Sequence, residues 1–171
     1  MEASDKLYDR LIRPIEQQMI RIVGRIVRDN DEAEDVFQEI LAVIWARLDK
    51  IGKHPNPHAY ILRICITRSY DALKKRARQR RFETLLDNVK AKFLAVQPPD
   101  FARDYDLRSA VRKSVAMLPP NQGQTVLLRL VDETPYHKIG SILGCSEATA
   151  RSHFSKGKAR LQKILTGMNI I

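Results

Sequence analysis

The stretch Pro135-Tyr-His-Lys-Ile-Gly-Ser-Ile-Leu-Gly-Cys-Ser-Glu-Ala-Thr-Ala-Arg-Ser-His-Phe154 predicts two helices joined by a tight turn. A proline suits the first turn of a helix, and Gly144 is the residue type that ends one in the left-handed conformation. Ser146 then caps a second helix, and Gly140 leaves room for that helix to approach closely. This pattern indicates a helix-turn-helix, whose second helix enters the DNA major groove. The simpler alternative is an ordinary helical hairpin with a polar face.

The outer face of the second helix carries the candidate DNA contacts. Arg151 has the donors to pair with a guanine, Ser152 and Ser155 suit bases or phosphate, and Lys156 suits phosphate. We call these residues the C-terminal DNA surface: Ala148, Arg151, Ser152, His153, Ser155 and Lys156.

The rest of the chain is also patterned as helices. Apolar residues recur at spacings of three and four from Leu7 to Ile26, which predicts an amphipathic helix. A break at residues 28–31 follows, and Asp31, with Glu34 three residues later, is the expected cap of the next helix. That helix is expected to run to about Leu48 with one apolar face. The apolar face comprises Val36, Phe37, Ile40, Leu41, Ile44, Trp45 and Leu48.

Prolines and glycines divide the remainder. Residues 51–57 contain two prolines and a glycine and predict a loop, after which a helix begins near Pro57. The helical pattern weakens beyond Arg81, and Pro98-Pro99 favours an extended linker. We therefore expect an all-α protein of two small helical domains joined by a flexible linker, the second a four-helix domain with the helix-turn-helix. The expected boundaries are 1–82, 83–106 and 107–171.

Positive charge is concentrated in two segments. The net charge of the chain is +10, whereas residues 63–81 alone carry +7 and residues 134–165 carry +5. The rest sums to −2, and the two basic segments contain a single acid each, so i,i+4 pairing does not neutralise them. Two basic segments in a slightly acidic chain are typical of a protein that binds a polyanion.

Other chemistry is not indicated. Cys65 and Cys145 lie in apolar helical patterns, which favours buried, reduced thiols. His54 and His58 are separated by two prolines, so no regular helix face brings them together as metal ligands. We expect no catalytic residue, no metal and no cofactor. The sequence has neither a membrane-length apolar run nor a signal-peptide pattern, so we expect a cytosolic protein without membrane insertion.

Several segments, in order, resemble the extracytoplasmic-function group of bacterial sigma factors. The resemblance covers about residues 5–81 and 107–165. Its segments are Ala33-Glu-Asp-Val-Phe-Gln-Glu39 with Trp45 and Leu48-Asp49, then Ala59-Tyr-Ile-Leu-Arg-Ile64, Leu118-Pro-Pro120, Val126-Leu-Leu-Arg-Leu130 and the helix-turn-helix ending in Ala159-Arg-Leu161.

The resemblance implies roles for residues of both domains. Domain 2 (1–82) would bind core RNA polymerase and the promoter −10 element, and domain 4 (107–171) the −35 element. Asp35, Gln38 and Glu39 would face the clamp helices of the largest polymerase subunit, although acids there also suit a helix N-terminus. Domain 4 would meet the flap of the second subunit, and an anti-sigma factor is expected. The implied −10 contacts are Ile51, Lys53, His54, Asn56, Arg63, Thr67, Arg68, Lys74, Lys75 and Arg76.

The chain departs from the family pattern at informative positions. Thr67 stands where asparagine is common, and it lacks the paired donor and acceptor with which an amide reads a flipped base. His153 replaces a common arginine, and Ala150 a common valine. These changes bear on promoter sequence rather than on the fold.

Two other functions remain as alternatives. A free-standing helix-turn-helix regulator would use residues 107–165 but leaves the segment 34–81 without a role. An enzyme acting on nucleic acid would need metal ligands from several elements, whereas the acids from Asp29 to Asp35 cluster at one helix start. A sigma factor is the function that employs both domains.

Overall fold

The computed structural model describes the backbone of residues 2–91 and 103–168, and the side chains of residues 6–79 and 110–168. All regular secondary structure in these residues is helical, as expected. The N-terminal part contains α1 (Glu2–Leu11), α2 (Glu16–Val27), α3 (Asn30–Trp45), α4 (Leu48–Gly52) and α5 (Pro57–Ala91). The C-terminal part contains α6 (Arg103–Ala116), α7 (Pro120–Leu130), α8 (Tyr136–Leu143) and α9 (Glu147–Gly167). The expected four-helix domain is therefore present.

Two features of the first helices differ from the sequence prediction. The stripe from Leu7 to Ile26 is divided by a 3₁₀ turn, Arg13–Ile15, because Pro14 has no N–H to continue α1. The cap of α3 is Asp29 and not Asp31: its carboxylate accepts a hydrogen bond from the backbone N–H of Glu32 at 3.2 Å. Arg28 already ends α2 with a φ of 62°, so the next helix starts two residues earlier than predicted.

The helix α5 is longer than the sequence predicts. It continues to Ala91, past the expected domain boundary at residue 82 and into the expected linker. The start of α6 at Arg103 likewise precedes the predicted boundary at residue 107. The Pro98-Pro99 pair and the flexibility expected of this linker lie outside the described residues.

The hydrophobic core is continuous through both halves. Helices α2, α3 and α5 pack on one another, α9 packs on α7 and α8, and α5 also contacts α6, α7 and α8. Tyr70 on α5 is fully buried, and its hydroxyl donates hydrogen bonds to the carbonyls of Leu118 at 2.6 Å and Val115 at 3.2 Å. The two domains are therefore packed together along α5.

Candidate nucleic-acid interface

The helix-turn-helix has the predicted capping geometry. Gly144 ends α8 with a φ of 71°, and the N–H of Cys145 donates to the carbonyl of Gly140. The Ser146 hydroxyl accepts a hydrogen bond from the N–H of Thr149 at 3.1 Å and so caps α9. A Cβ atom on Gly140 would lie 2.7 Å from the carbonyl oxygen of Cys145, so α8 and the turn pack too closely for a side chain. These local features confirm the helix-turn-helix.

The C-terminal DNA surface lies on the exposed face of α9. Its members Ala148, Arg151, Ser152, Ser155 and Lys156 are exposed, and His153 is half-buried. The opposite face buries Ala150, Leu161 and Leu165. Phe154 is half-buried. It packs against Tyr136 of α8 with the ring centroids 5.7 Å apart.

In the loop before α5, fewer residues are exposed for DNA contact than the sequence predicts. Ile51 is fully buried within α4, so the prediction that its side chain touches DNA is wrong; it supports the loop from the core. The exposed part is residues 53–56. Asn56 uses its amide oxygen to accept from the N–H of Ala59 at 3.1 Å, and the backbone N–H of Asn56 donates to His54 Nδ1 at 3.1 Å. The loop is thus held by its own polar groups at the start of α5.

A cleft along α5 brings three of the predicted −10 contacts together. Arg63, Thr67 and Arg68 share its wall, and its volume is about 480 Å³. Arg63 and Arg68 are exposed and Thr67 is half-buried. The remaining lining residues, absent from the predicted site, are Arg47, Tyr60, Ile64 and Asp71. Arg47 lies between α3 and α4, and no local sequence pattern indicates that it belongs to this site. It lines the cleft because α4 folds back against α5.

The aromatic side of this cleft extends to the loop. The ring of Tyr60 lies 5.0 Å, centroid to centroid, from the ring of His54. Aromatic rings beside arginine side chains form the kind of surface on which unpaired bases stack. The structure therefore places an aromatic pair next to the basic residues predicted to hold single-stranded DNA.

The basic residues farther along α5 have unequal surroundings. Lys75 is exposed, and the ammonium of Lys74 lies 5.8 Å from the Tyr70 ring centroid. Arg76 instead bonds to Glu32 and, at 3.3 Å, to the carboxylate of Asp29. The pKa of Asp29 is lowered, mainly by the hydrogen bond from the backbone N–H of Glu32 and to a smaller extent by the positive charge of Arg76. Arg76 is thus a tie between α5 and the start of α3, and its contact with DNA stays a prediction.

The predicted polymerase contacts form one exposed stripe on α3. Asp35, Gln38 and Glu39 are exposed at helical spacing. Trp45 continues the stripe and is 50% exposed, so the prediction that it belongs to the apolar core face is wrong. Its ring lies 5.8 Å, centroid to centroid, from Tyr8 of α1. Tryptophan is enriched among the anchors of protein interfaces. The apolar period of α3 assigned Trp45 to the core face, although it also belongs to the segment that resembles sigma factors.

The two DNA surfaces are close together in this structure. The guanidinium of Arg63 lies 3.0 Å from the position that a Cβ atom would take on Gly144. Farther along the interface, Arg21 pairs with Asp132 at 3.0 Å, and Arg25 donates to the carbonyl of Val131 at 2.8 Å. The face of α5 that is predicted to contact the −10 element is therefore partly covered by the helix-turn-helix.

The two cysteines are covered to different degrees by the fold. Both are free thiols, and Cys65 is fully buried whereas Cys145 is half-buried. Burial raises the pKa of Cys65 to about 12 and also raises the pKa of Cys145. Within the residues that the structure describes, no cluster of three His, Cys, Asp or Glu side chains could hold a metal. No helix of the described part is long and apolar enough to cross a membrane.

The fold and its surfaces define a DNA-binding protein of two helical domains with a helix-turn-helix. Comparison with known proteins narrows this class. Sigma-70 region 2 matches residues 11–79 and Sigma-70 region 4 matches residues 108–161. The RNA polymerase sigma-E factor of Streptomyces coelicolor is 24% identical over 95% of this chain and 88% of its own length. The RNA polymerase sigma-H factor of Pseudomonas aeruginosa is 22% identical over 94% of this chain and 86% of its own.

A solved structure has the same fold. The sigma factor RpoE of Bartonella quintana, in complex with the anti-sigma factor NepR, aligns with a TM-score of 0.51 at 23% identity. The alignment covers 93% of this chain and 96% of that one. This chain belongs to the extracytoplasmic-function group of sigma-70 factors, which direct RNA polymerase to promoters.

Proposed function

We propose that each exposed surface of this sigma factor performs one step of initiation. The α3 stripe of Asp35, Gln38 and Glu39 binds the clamp helices of the largest polymerase subunit. The loop 53–56 and the cleft of Arg63, Thr67 and Arg68 hold the opened −10 strand, and α9 reads the −35 element. The observation that carries this assignment is the α5 cleft, because it combines arginines with the ring of Tyr60, which also packs against His54 of the loop. Single-stranded DNA is bound by such combinations of basic and aromatic side chains.

The packed arrangement of the domains differs from the one that promoter binding requires. The −10 and −35 elements are centred about 25 base pairs apart, which is roughly 85 Å of duplex at 3.4 Å per pair. Arg63 and Gly144 nearly touch, so α5 and α9 cannot occupy both elements without moving apart. Binding to polymerase and promoter therefore selects an open arrangement.

Regulation and location follow from this role. An anti-sigma factor is a natural partner, since a similar sigma factor was solved bound to one. Domain 4 contacts the flap of the second polymerase subunit. The protein works in the cytosol, where polymerase and chromosome are found, and it carries out no chemistry and requires no cofactor.

The decisive experiment combines co-purification with transcription. The full chain is mixed with core polymerase, isolated by size, and assayed on a duplex template that requires strand opening. The start sites are found by sequencing the transcripts made when the protein is overproduced. Binding to core followed by specific initiation supports the proposal. Tight binding to promoter duplex without any association with core would instead indicate a free-standing regulator.

Binding of the holoenzyme to its promoter should weaken steeply as salt rises. Each phosphate neutralised by a lysine or arginine contributes about 0.9 to the slope of log K against log salt. Lys75→Gln on the exposed side of α5 should reduce that slope by about one, measured by fluorescence anisotropy over a salt series. Lys113→Gln on α6 is the matched control and should leave the slope unchanged. Equal slopes for the wild type and Lys75→Gln would show that Lys75 does not contact a DNA phosphate.

Reversing one charge on the α3 stripe should weaken assembly with core polymerase. Glu39→Lys is expected to raise the dissociation constant about thirtyfold, or about 2 kcal/mol, because a like charge would face the partner's basic surface. Glu133→Lys makes the same exchange at an exposed site on the C-terminal domain and should assemble normally. Both are compared by titrating labelled chain with core enzyme. Normal assembly of Glu39→Lys would move the polymerase contact away from this stripe.

A further inference from the structure

Arg151 on the recognition helix is held by two neighbouring side chains. Its guanidinium carbon lies 4.6 Å from the ring centroid of Tyr136, within the range of a cation–π contact. The Oε1 atom of Glu147 accepts hydrogen bonds from Arg151 Nε at 3.2 Å and Nη2 at 2.6 Å. One face and one edge of the guanidinium are therefore occupied within the protein itself.

These contacts leave the other edge of Arg151 available. A guanidinium has five N–H donors, and Glu147 takes the one on Nε and one of the two on Nη2. The two donors on Nη1 and the second on Nη2 remain, and one from each nitrogen points along the end of the side chain. That end is the edge that pairs with O6 and N7 of a guanine in the major groove. The side chain is thus fixed without losing its base-reading donors.

The Tyr136 ring is itself fixed by both helices of the helix-turn-helix. Phe154 of α9 packs edge-on against it, with an interplanar angle of 67°. Arg129 of α7 also lies against the ring, with its guanidinium carbon 5.1 Å from the centroid. Because three elements hold this half-buried ring, it can restrain Arg151 rather than move with it.

Restraint matters because Arg151 is otherwise exposed. Its side chain is 61% exposed, and a free arginine in that position samples many rotamers that it must give up on binding a base. Holding the side chain in one position beforehand lowers that entropy loss, so the free energy of the base contact is better retained. An exposed ion pair such as Arg151–Glu147 contributes little to the stability of the fold. We therefore attribute to it a role in orienting Arg151.

We propose that Tyr136 and Glu147 are positioning residues that hold Arg151 in place to read one guanine of the −35 element. The proposal rests on the assignment of α9 to that element. It adds two specificity-determining residues to the C-terminal DNA surface, one of them on α8 and outside the recognition helix.

The test measures base discrimination by the holoenzyme. The full chain with core polymerase is bound to promoter fragments in which each −35 base pair is replaced in turn. Arg151→Ala should lose roughly 5- to 150-fold of discrimination at a single G·C pair, which identifies the pair it reads. Tyr136→Leu should lower discrimination at that same pair roughly two- to fivefold, and Tyr136→Phe, which keeps the ring, should retain it.

Two further variants separate positioning from scaffolding and from direct contact. In the Arg151→Ala background, Tyr136→Leu should cause no additional loss at that pair, because the two residues act through one interaction. Glu147→Ala should reduce discrimination at the Arg151 pair. Binding to a forked fragment that lacks the −35 element should be unchanged in every variant, which shows that the chain is folded and assembled.

Several results would overturn the proposal. A uniform loss for all −35 sequences in Tyr136→Leu would mean that the ring supports only the fold. A changed preference at a different base pair in Glu147→Ala would make Glu147 a direct contact. If Arg151→Ala alters no base preference while the wild type still discriminates among −35 sequences, Arg151 reads no base and the positioning role fails. If the wild-type holoenzyme shows no preference at any −35 base pair, the assignment of α9 to that element fails as well.

Discussion

Replacing Tyr70 with alanine is expected to lower the free energy of unfolding by about 3–5 kcal/mol. The ring is fully buried, and its hydroxyl donates to the carbonyls of Leu118 and Val115 at the junction of α6 and α7. It also fills the space above Gly123, where a Cβ atom would lie 2.5 Å from the ring. The loss is measurable by urea unfolding, with Trp45, the single tryptophan, as the fluorescent reporter.

Tyr70→Phe separates the hydrogen bonds from the packing. It keeps the ring but removes the donor to the Leu118 carbonyl, so we expect a smaller loss of about 1–3 kcal/mol. Because this bond joins the two domains, the variant should also have a larger radius in small-angle scattering while assembling with core polymerase at least as well. Tyr60→Phe removes a hydroxyl from the same helix away from Leu118 and serves as the control. Unchanged stability and radius in Tyr70→Phe would mean that the domains do not depend on this contact in solution.

The second large effect is expected at the turn of the helix-turn-helix. Gly140→Ala should lower the free energy of unfolding by about 1–3 kcal/mol, because the new methyl group would overlap the backbone carbonyl of Cys145 at 2.7 Å. A backbone atom cannot rotate away as a side chain can, so the start of α9 must shift. We therefore expect reduced preference for the −35 element as well as reduced stability, measured by thermal unfolding and by binding to promoter fragments.

Gly24→Ala is the matched control for this prediction. The exchange is the same and Gly24 is also in a helix. Beyond its two neighbours and the nearby backbone of α2, no atom of the described residues lies within 4 Å of the position of its added Cβ. Relief of glycine's backbone entropy should stabilise that variant by about 0.5–1 kcal/mol. If Gly140→Ala were as stable as Gly24→Ala and kept its promoter preference, the close packing of α8 against the turn would have no functional importance.

The sequence predicted the elements whose causes are local. The left-handed Gly144, the cap by Ser146 and the close approach at Gly140 involve residues a few positions apart, so short patterns encode them. The cap of α3 shows the limit of such patterns. Both Asp29 and Asp31 have a glutamate three residues later, and the left-handed Arg28 selected Asp29. The sequence alone could not decide which of these two aspartates caps the helix, because the choice depends on the backbone conformation at Arg28.

Periodicity was also ambiguous where one residue fits two faces. Trp45 shares the apolar period of α3, yet it is half exposed beside the acidic stripe. Ile51 falls in a segment rich in glycine and proline, yet it is fully buried in α4. Hydrophobicity predicts the contents of a core on average, whereas the fate of one apolar residue near a helix end depends on which neighbour covers it.

The sequence by itself determined the all-α class, the helix-turn-helix, the two basic segments and the resemblance to sigma factors. Only the tertiary structure placed Arg76 beside Asp29 and Glu32, and only it set Tyr70 against Leu118. Those partners are 44 to 48 positions apart. Caps and turns form within a few residues. Contacts across such distances bring together the ends of a long segment, which costs loop-closure entropy, and no short sequence pattern encodes them. The helix-turn-helix could therefore be predicted from its own residues, whereas the contact of Tyr70 with Leu118 that joins the two domains could not.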